Sequence, residues 1–283
     1  MPAKERVNYE LMKLFDGNYT VQAIKDLDEC GLLCEILPIF ADVKKVPPNT
    51  HHHLPLIGHS IETVRQIENF YKIANKEVKN HLDSIDFGAF RRLAYLKLAG
   101  FMHDIGKFSC WTIEETGRHR FIKHEYVGAE LCKPILRDLK FSKKQIEYIS
   151  DMIKYHIYPS HIIATEGLSD KVKMRYIRKI GNNVIDNIFI AMSDRLSARG
   201  EAVTDEMVKN NITGLQSLLS YYLNVKDSLK PLPKLLSGEE IMKITGLKPS
   251  KELGELVEKL KEAQFDGDIT TKEQAIEFIK KQK

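Results

Sequence analysis

Apolar residues recur along most of the chain at intervals of three and four positions, which is the spacing of an amphipathic helix. The clearest runs fall at 57–71, 90–102, 146–156 and 184–192. Alternation of apolar and polar residues, the mark of a half-buried strand, is hard to find, and no Asn-Gly or Gly-Gly pair separates two such runs. The hydrophobic pattern therefore predicts an all-α fold.

The helical pattern is interrupted at two places. Pro47-Pro48 follows a pair of short amphipathic segments, and residues 230–233 read Lys-Pro-Leu-Pro. Both indicate breaks because proline does not continue a helix. The chain is therefore predicted to have three regions: a small helical neck at 1–48, a central helical domain at 49–225 that carries the histidines, and a small helical tail at 226–283.

Signals for helix starts are clearest in the tail. Ser250 precedes an apolar run of helical period, and Thr270 lies three residues before Glu273, which is the spacing of a capping box. We therefore expect one helix to begin just after Ser250 and the last helix of the chain to begin just after Thr270.

Composition sets limits on the class of protein. The 283 residues are 43% hydrophobic and 29% charged, which is ordinary for a globular chain, and a net charge of +4 does not by itself indicate a nucleic-acid partner. Four cysteines occur without a C-x-x-C pair, which favours free thiols in a reducing compartment. The N-terminus carries no apolar signal segment and no stretch is long enough to span a bilayer. We expect a cytoplasmic protein with no membrane partner.

The candidate chemistry lies at predicted helix ends, where histidine and aspartate side chains accumulate. Residues at the ends of several helices can converge on one point inside a bundle, and bundles build metal sites in this way. Imidazole and carboxylate donors together suit divalent Mn, Fe, Co, Ni or Zn, and Mg where oxygen ligands predominate. The six candidate metal ligands are His59, His103, Asp104, His124, His156 and Asp194.

The adjacent pair His103-Asp104 is the most specific part of this pattern. Neighbours on a regular helix point about 100° apart, so both can face one ion only where the helix bends or ends. We expect Gly106 to end it by adopting the left-handed conformation. Asp104 would then orient a metal-activated water, and Lys107, one turn away, would meet the charge of a phosphate.

These residues resemble the H…HD…D signature of the HD-domain phosphohydrolase superfamily. His59, the His103-Asp104 pair and Asp194 reproduce the signature. The resemblance implies a helical HD bundle, one or two divalent ions, and hydrolysis of a phosphomonoester or phosphodiester. It also implies that His124 and His156, which match the two extra histidines of two-metal members, either bind a second ion or contact the phosphate of the substrate.

A second resemblance covers nearly the whole chain. Residues 5–38 are similar to the neck of bacterial CCA-adding tRNA nucleotidyltransferases of the poly(A) polymerase family, residues 121–129 to their HD-bearing body, and residues 236–275 to their C-terminal segment. The head that carries nucleotide transfer in that family has no counterpart here, since no Gly-Gly or Gly-Ser loop occurs. We therefore expect no nucleotide addition by this chain alone.

Two functions are compatible with these resemblances. The first is a metal-dependent phosphohydrolase that acts on a phosphorylated small molecule, a nucleotide or an RNA end. The alternative is a non-catalytic accessory protein that binds tRNA or another RNA and is related to the CCA-adding enzymes. The first would lose its reaction in Asp104→Ala, whereas RNA binding by the second would survive that change.

The remaining polar candidates have plainer interpretations, with one exception. The run 51–53 of three histidines follows two prolines, so we expect a solvent-exposed loop that offers a weak metal site at most. His119 and His161 are interpreted as surface residues. The exception is Arg199, which should lie about one helical turn beyond Asp194 and bind a phosphate at the mouth of the site.

Overall fold

The structure is a computed structural model that describes residues 3–229 and 232–282. Met1 and Pro2 of the predicted neck, Lys230 and Pro231 of the predicted linker, and Lys283 lie outside the described residues. The chain forms two compact units, of which the first runs to Thr165 and includes Asn183–Ser217. The second consists of Glu166–Asn182 and the chain after Ser217. The three-region division at 48 and 225 stays a prediction.

Helices make up nearly all of the regular structure in the first unit, so the predicted all-α class is confirmed. Its elements are α1 Lys4–Asp16, α2 Thr20–Glu29, α3 Leu32–Ile36, α4 Phe40–Val43, α5 Leu56–Ile73, α6 Lys76–Leu82, α7 Arg92–Met102, α8 Lys107–Cys110, β1 Trp111–Ile113, β2 His119–Phe121, α9 His124–Asp138, α10 Lys143–Tyr155, α11 Tyr158–Thr165 and α13 Val184–Ser197. Four short helices therefore occupy the described part of the neck, where the sequence predicted two.

The strands β1 and β2 form an antiparallel hairpin that the sequence did not predict. Ile113 pairs with His119 and Trp111 with Phe121. Each strand has three residues, which is too short for a pattern of alternating burial to be recognised. The turn between them places Gly117 at a positive φ of 78°, a conformation that glycine adopts without steric penalty.

Helix α7 lies at the centre of the first unit, and all of its residues are buried. It packs against α1, α5 and α10, while α5 also packs against α13 and α10 against α9. Two of its buried residues are basic and each has an acidic partner. Arg92 donates to Asp186 Oδ1 at 2.8 Å, and Lys97 Nζ lies 3.2 Å from Glu68 Oε1. Burial of this whole helix fixes the position of its C-terminal end.

The second unit has its own apolar core. Its helices are α12 Asp170–Ile180, α15 Gly238–Thr245, α16 Lys251–Asp266 and α17 Lys272–Lys281, and α14 Asp205–Val225 runs through both units. The buried core residues are Leu236, Ile241, Leu256, Leu260, Ile269, Ala275 and Ile279. No described helix combines the length and the hydropathy needed to cross a bilayer.

Helix starts in the second unit test the predicted caps. Ser250 accepts a hydrogen bond from the Leu253 amide, so the predicted start of α16 is confirmed. The predicted cap at Thr270 is wrong by one residue, because the capping box is formed by Thr271 and Gln274. Both threonines fit a local cap pattern, so the four-residue spacing rule alone does not choose between them.

Candidate metal centre

The His103-Asp104 pair lies just beyond the end of α7, as predicted. The helix ends at Met102, and residues 103–106 form turns before α8 begins. The reason predicted for the end of the helix, a left-handed Gly106, is wrong, because Gly106 has φ −72° and ψ −17°. A Cβ atom at Gly106 would lie 2.1 Å from the carbonyl oxygen of His124 and 2.5 Å from the amide nitrogen of Gly128. Glycine is needed here because this turn packs directly on the backbone of α9.

A first donor set, defined as His59, His103, Asp104 and Asp194, converges from three helix ends. His59 Nε2 lies 3.0 Å from Asp194 Oδ1 and 3.2 Å from Asp104 Oδ2. His103 Nε2 lies 3.2 Å from His59 Nε2 and 3.1 Å from Asp104 Oδ2. Three of these side chains are fully buried, and Asp194 is partly exposed.

A second donor set, defined as His124, His156 and the other oxygen of Asp104, lies beside the first. His124 Nε2 is 3.2 Å from Asp104 Oδ1 and 3.3 Å from His156 Nε2. His156 Nε2 is 3.7 Å from the same carboxylate oxygen. Asp104 therefore presents one oxygen to each set and could contribute a ligand atom to both.

Both donor sets have the dimensions of a metal site. An ion with bonds of about 2.1 Å to nitrogen and oxygen ligands holds neighbouring donor atoms about 3.0 to 3.4 Å apart, close to the separations found here. Among the described residues, the ammonium of Lys107 lies 2.6 Å from Asp104 Oδ2, whereas Oδ1 lies beside the imidazoles of His124 and His156. A buried carboxylate oxygen is costly unless a donor or a cation satisfies it, and an imidazole whose proton is on Nδ1 donates nothing from Nε2. The residues therefore fit a divalent ion.

Backbone carbonyl groups orient three of the imidazole rings. The Nδ1 atoms of His103, His124 and His156 lie 2.7–2.8 Å from the carbonyl oxygens of the residues three positions earlier in the chain. A ring that donates from Nδ1 keeps the Nε2 lone pair free, and here Nε2 faces the other donors. This outer contact fixes the ring tautomer that a metal ligand requires.

The sequence as a whole identifies the family of this chain. Residues 56–199, which contain all six candidate ligands, match the HD domain, and residues 3–44 match the family described as the probable RNA and SrmB-binding site of polymerase A. The chain belongs to the HD domain family. The resemblance predicted from the H…HD…D signature is thereby confirmed.

Relatives of this HD-domain chain include nucleotidyltransferases. It is 29% identical over 282 residues to the CC-adding tRNA nucleotidyltransferase of Thermus thermophilus and 26% identical over 281 residues to the A-adding tRNA nucleotidyltransferase of Deinococcus radiodurans. These alignments cover 99% of this chain but 57% and 58% of the relatives. A bifunctional uridylyltransferase/uridylyl-removing enzyme of Ruegeria pomeroyi is 24% identical over 162 residues, 56% of this chain and 16% of that protein.

Charges in the HD site keep its carboxylates ionised. Burial opposes ionisation of Asp104 and Asp194, but His103 beside both, together with Lys107 at Asp104 and His59 at Asp194, holds each pKa well below its usual range. Burial also disfavours a charged His103 ring, yet the two carboxylates raise its pKa to about 10. Metal ligands must be deprotonated, so a cation at the first donor set competes with the His103 proton.

Lys107 lies at this site, as the sequence predicted. Its Nζ is 2.6 Å from Asp104 Oδ2, and its side chain is buried. The same ammonium group donates to Nε2 of His52 at 3.1 Å, while Nδ1 of His52 lies 3.3 Å from Asn49 Oδ1. Lys107 therefore carries a positive charge beside Asp104 and links that carboxylate to a histidine that the sequence did not place here.

The expectation of a solvent-exposed loop at 51–53 is wrong for its first two histidines, which are half-buried. Backbone hydrogen bonds fasten this loop to the segment after α13: Gly200 donates to the carbonyl of His51 at 2.9 Å and Ala202 donates to that of Thr50 at 2.8 Å. The ring of His52 meets that of His59 edge-on with centroids 4.6 Å apart. The backbone hydrogen bonds from Gly200 and Ala202 join segments about 150 positions apart, and local sequence carries no signal for them.

A cavity of about 360 Å³ opens onto both donor sets. It is lined by Asn49, His51, His52, Lys107, Arg118, His119, Arg120, Phe121, Ile122, His124, His156, Ile157, Asp194, Arg195, Ala198 and Val203. His119, interpreted from sequence as a surface residue, is part of this wall and accepts a hydrogen bond from the indole of Trp111 at 3.2 Å. The hairpin that sequence analysis missed therefore forms one side of the site.

The structure does not bring Arg199 into the described cavity wall. The prediction assumed that the helix continues through Arg199, but α13 ends at Ser197, so Arg199 does not lie one helical turn beyond Asp194. Its exposed guanidinium pairs with Asp205 at 3.1 Å instead. Arg195, which still belongs to the helix, lines the cavity instead. The signal that would have found it is its position next to a candidate ligand in the last turn of α13.

Proposed function

We propose that this chain is a metal-dependent phosphohydrolase that acts in the cytoplasm on a phosphomonoester or phosphodiester, with a nucleotide or an RNA end as the substrate. The observation that carries this proposal is Asp104, whose two oxygens lie among two histidine-containing donor sets beneath a cavity rich in positive charge. That combination suits phosphate chemistry, since the cations neutralise a phosphoryl group while the donors hold a metal.

Each group of residues has a distinct part in this proposal. His59, His103, Asp104 and Asp194 would hold one divalent ion of Mn, Fe, Co, Ni, Zn or Mg, and His124 with His156 would hold a second ion or contact the phosphate. A bound ion supplies Lewis acidity and lowers the pKa of a water molecule.

Two further roles fall to groups beside these ligands. The carboxylate of Asp104 orients the attacking water through a hydrogen bond. The ammonium of Lys107, buried 2.6 Å from that carboxylate, stabilises negative charge that develops on the phosphoryl oxygens.

The alternative function, a non-catalytic tRNA-binding or RNA-binding accessory protein, has support from a different part of the chain. Residues 3–44 match a family described as a probable RNA-binding site, and two relatives are tRNA nucleotidyltransferases by name. An apolar cavity of about 470 Å³ lies among α1, α2 and α3, far in sequence from the donor sets. On this alternative, tRNA binding would persist when the donor sets are destroyed.

The deciding experiment combines metal analysis with hydrolysis. Purified wild type, Asp104→Asn and the control Asp205→Ala, which changes an exposed carboxylate, are loaded with each divalent ion in turn. Hydrolysis of p-nitrophenyl phosphate, bis-p-nitrophenyl phosphate and 2′,3′-cyclic nucleotides is then measured.

We expect turnover in wild type and the control and none in Asp104→Asn, because the carboxylate that faces both donor sets is lost. Metal binding without turnover of any substrate by wild type would reject the hydrolase and favour the accessory protein.

A further inference from the structure

The cavity above the donor sets carries more positive charge than one phosphate group needs. Its described wall contains four basic side chains, Lys107, Arg118, Arg120 and Arg195, and Asp194 is the one carboxylate among the described lining residues. A divalent ion at the donor sets would add further positive charge. A phosphomonoester brings at most two negative charges, so part of this cationic wall would face no anion if the substrate carried a single phosphate.

The four basic residues differ in whether they already have an acidic partner. Lys107 lies beside Asp104, and Arg120 pairs with Glu114 at 3.2 Å. In contrast, Arg118 and Arg195 form no ion pair with any residue that the structure describes. The two free cations come from different elements of the cavity wall, one from the turn between β1 and β2 and one from α13.

Arg195 also has an unsatisfied donor. Its Nε is buried and has no hydrogen-bond partner among residues 3–229 and 232–282. A buried donor without an acceptor is costly, and the planar guanidinium group is suited to two parallel hydrogen bonds with a phosphate. An anion in the cavity would supply the acceptor that this donor lacks.

Three of these basic groups influence the same histidine, His51. Burial lowers the pKa of His51, and the charges of Arg118, Lys107 and Arg195 lower it further. All three positive charges therefore lie close enough to His51 to influence its ring. Arg118 and Arg195 line the same cavity as Lys107, which contacts Asp104, so an anion bound above the donor sets would share that cavity with both arginines.

We propose that Arg118 and Arg195 form a subsite for a second phosphate group of the substrate, distinct from the phosphate that is hydrolysed. This inference rests on the proposed phosphohydrolase function and narrows its substrate class to molecules with two phosphates. The second phosphate is joined to the first either through a ribose, as at an RNA end, or through an anhydride, as in a nucleoside diphosphate. Phe121 and Ile122 give the same cavity an apolar surface for the nucleoside.

Two pairs of compounds that differ by one phosphate test the subsite and separate its two sources. The first pair is adenosine 2′,3′-cyclic phosphate with and without a 5′-phosphate, and the second is adenosine diphosphate against adenosine monophosphate. Each is measured as kcat/KM with metal-loaded wild type, Arg195→Met, Arg118→Met and the control Arg199→Met. Arg199 is a matched control because it is an exposed arginine four positions further along that pairs with Asp205.

We expect wild type and Arg199→Met to prefer the two-phosphate member of one pair by tenfold or more, and each subsite variant to lose most of that preference. Preference within the cyclic pair identifies the ribose-linked source, and preference within the second pair identifies the anhydride. Equal kcat/KM values within both pairs, or a preference that Arg195→Met and Arg118→Met retain, would overturn the proposal.

Failure of the hydrolase proposal has a different signature. If wild type turns over none of these compounds, the same comparison is made by titration calorimetry with the metal-loaded protein, where the ratio of the two Kd values replaces the ratio of kcat/KM. A tenfold tighter Kd for the two-phosphate member that is lost in Arg195→Met supports the subsite even though hydrolysis is absent. Equal Kd values reject it.

Discussion

Replacing Gly106 with alanine tests how closely the turn after α7 packs against α9. The added Cβ would lie 2.1 Å from the His124 carbonyl oxygen and 2.5 Å from the Gly128 amide nitrogen. Because real Cβ contacts are essentially never shorter than 3.0 Å, the turn and helix must separate by about 0.9 Å, the difference between 3.0 and 2.1 Å. Backbone atoms cannot rotate out of the way as a side chain can, so overpacking should cost about 3 kcal/mol, at the upper end of the usual range.

The same substitution at an uncrowded helical position should leave the free energy of unfolding unchanged or raise it, which provides a control. Gly254 lies inside α16, and a Cβ there would meet nothing within 4 Å. Alanine in a helix interior is favoured over glycine by about 0.5–1 kcal/mol. Gly254→Ala should therefore leave stability unchanged or slightly raised, so any loss in Gly106→Ala reflects the close approach rather than the loss of glycine.

The assay is urea unfolding of the metal-free proteins, followed by elemental analysis after metal loading. Metal-free protein isolates the packing effect from any loss of ligand binding. We expect Gly106→Ala to unfold at lower urea and to retain less metal, because the displaced turn carries Asp104 away from His124. An unfolding free energy within about 0.5 kcal/mol of wild type, together with full metal content, would refute the reasoning.

Three other perturbations test the buried ion pair between Arg92 and Asp186, the loop that carries His51 and His52, and metal binding. Asp186→Asn removes the buried charged partner of Arg92, which keeps only the exposed Asp86, and should cost about 3 kcal/mol at neutral pH. Burial opposes ionisation of Asp186, but Arg92 and His81 lower its folded pKa to about 2 from the ordinary 3.8. Its contribution is therefore complete above about pH 5 and is lost as the pH falls toward 2. The gap between wild type and variant in urea unfolding should narrow by roughly 1.6 kcal/mol between pH 5 and pH 2.5, and a constant gap would contradict this. Gly200→Ala places a Cβ 2.4 Å from the Thr50 carbonyl oxygen and should displace the histidine loop, which a rise in the loop's amide hydrogen exchange would reveal and an unchanged rate would exclude. Adding Mn²⁺ to chelator-treated protein at a hundredfold excess over its Kd should raise stability by about 2.7 kcal/mol in thermal melts, whereas His59→Ala should show no such rise.

The sequence was informative wherever the relevant signal is local. Helical periodicity located His59 at the start of α5, His124 at the start of α9 and Asp194 in the last turn of α13, and the structure brings these side chains together. Because helix ends are recognisable from a few neighbouring residues, convergence of the six donors was foreseeable before any packing was known. Their role as ligands remains a proposal.

Features that depend on contacts between distant segments were not foreseeable. From the local sequence, Gly106 could be required either for a left-handed backbone conformation or for close packing. Only the position of α9 shows that close packing is the reason. His52 reaches the site because Gly200 and Ala202 hold its loop, which no pattern near residue 52 predicts. The sequence placed Arg199 at the mouth of the site by assuming that α13 continues to it. The helix ends two residues earlier, so the error lay in the predicted C-terminal boundary of α13.

The division of Asp104 between two donor sets has a thermodynamic consequence. One negative charge would serve both cations, so the first ion to bind uses part of the attraction that the second would otherwise experience. If both sets bind an ion, their occupancies are linked, and the coupling opposes the second ion whichever set is filled first. A metal titration of such a protein should resolve two classes of ion with separated affinities, and the weaker class would respond to cellular metal concentration while the stronger class stays filled.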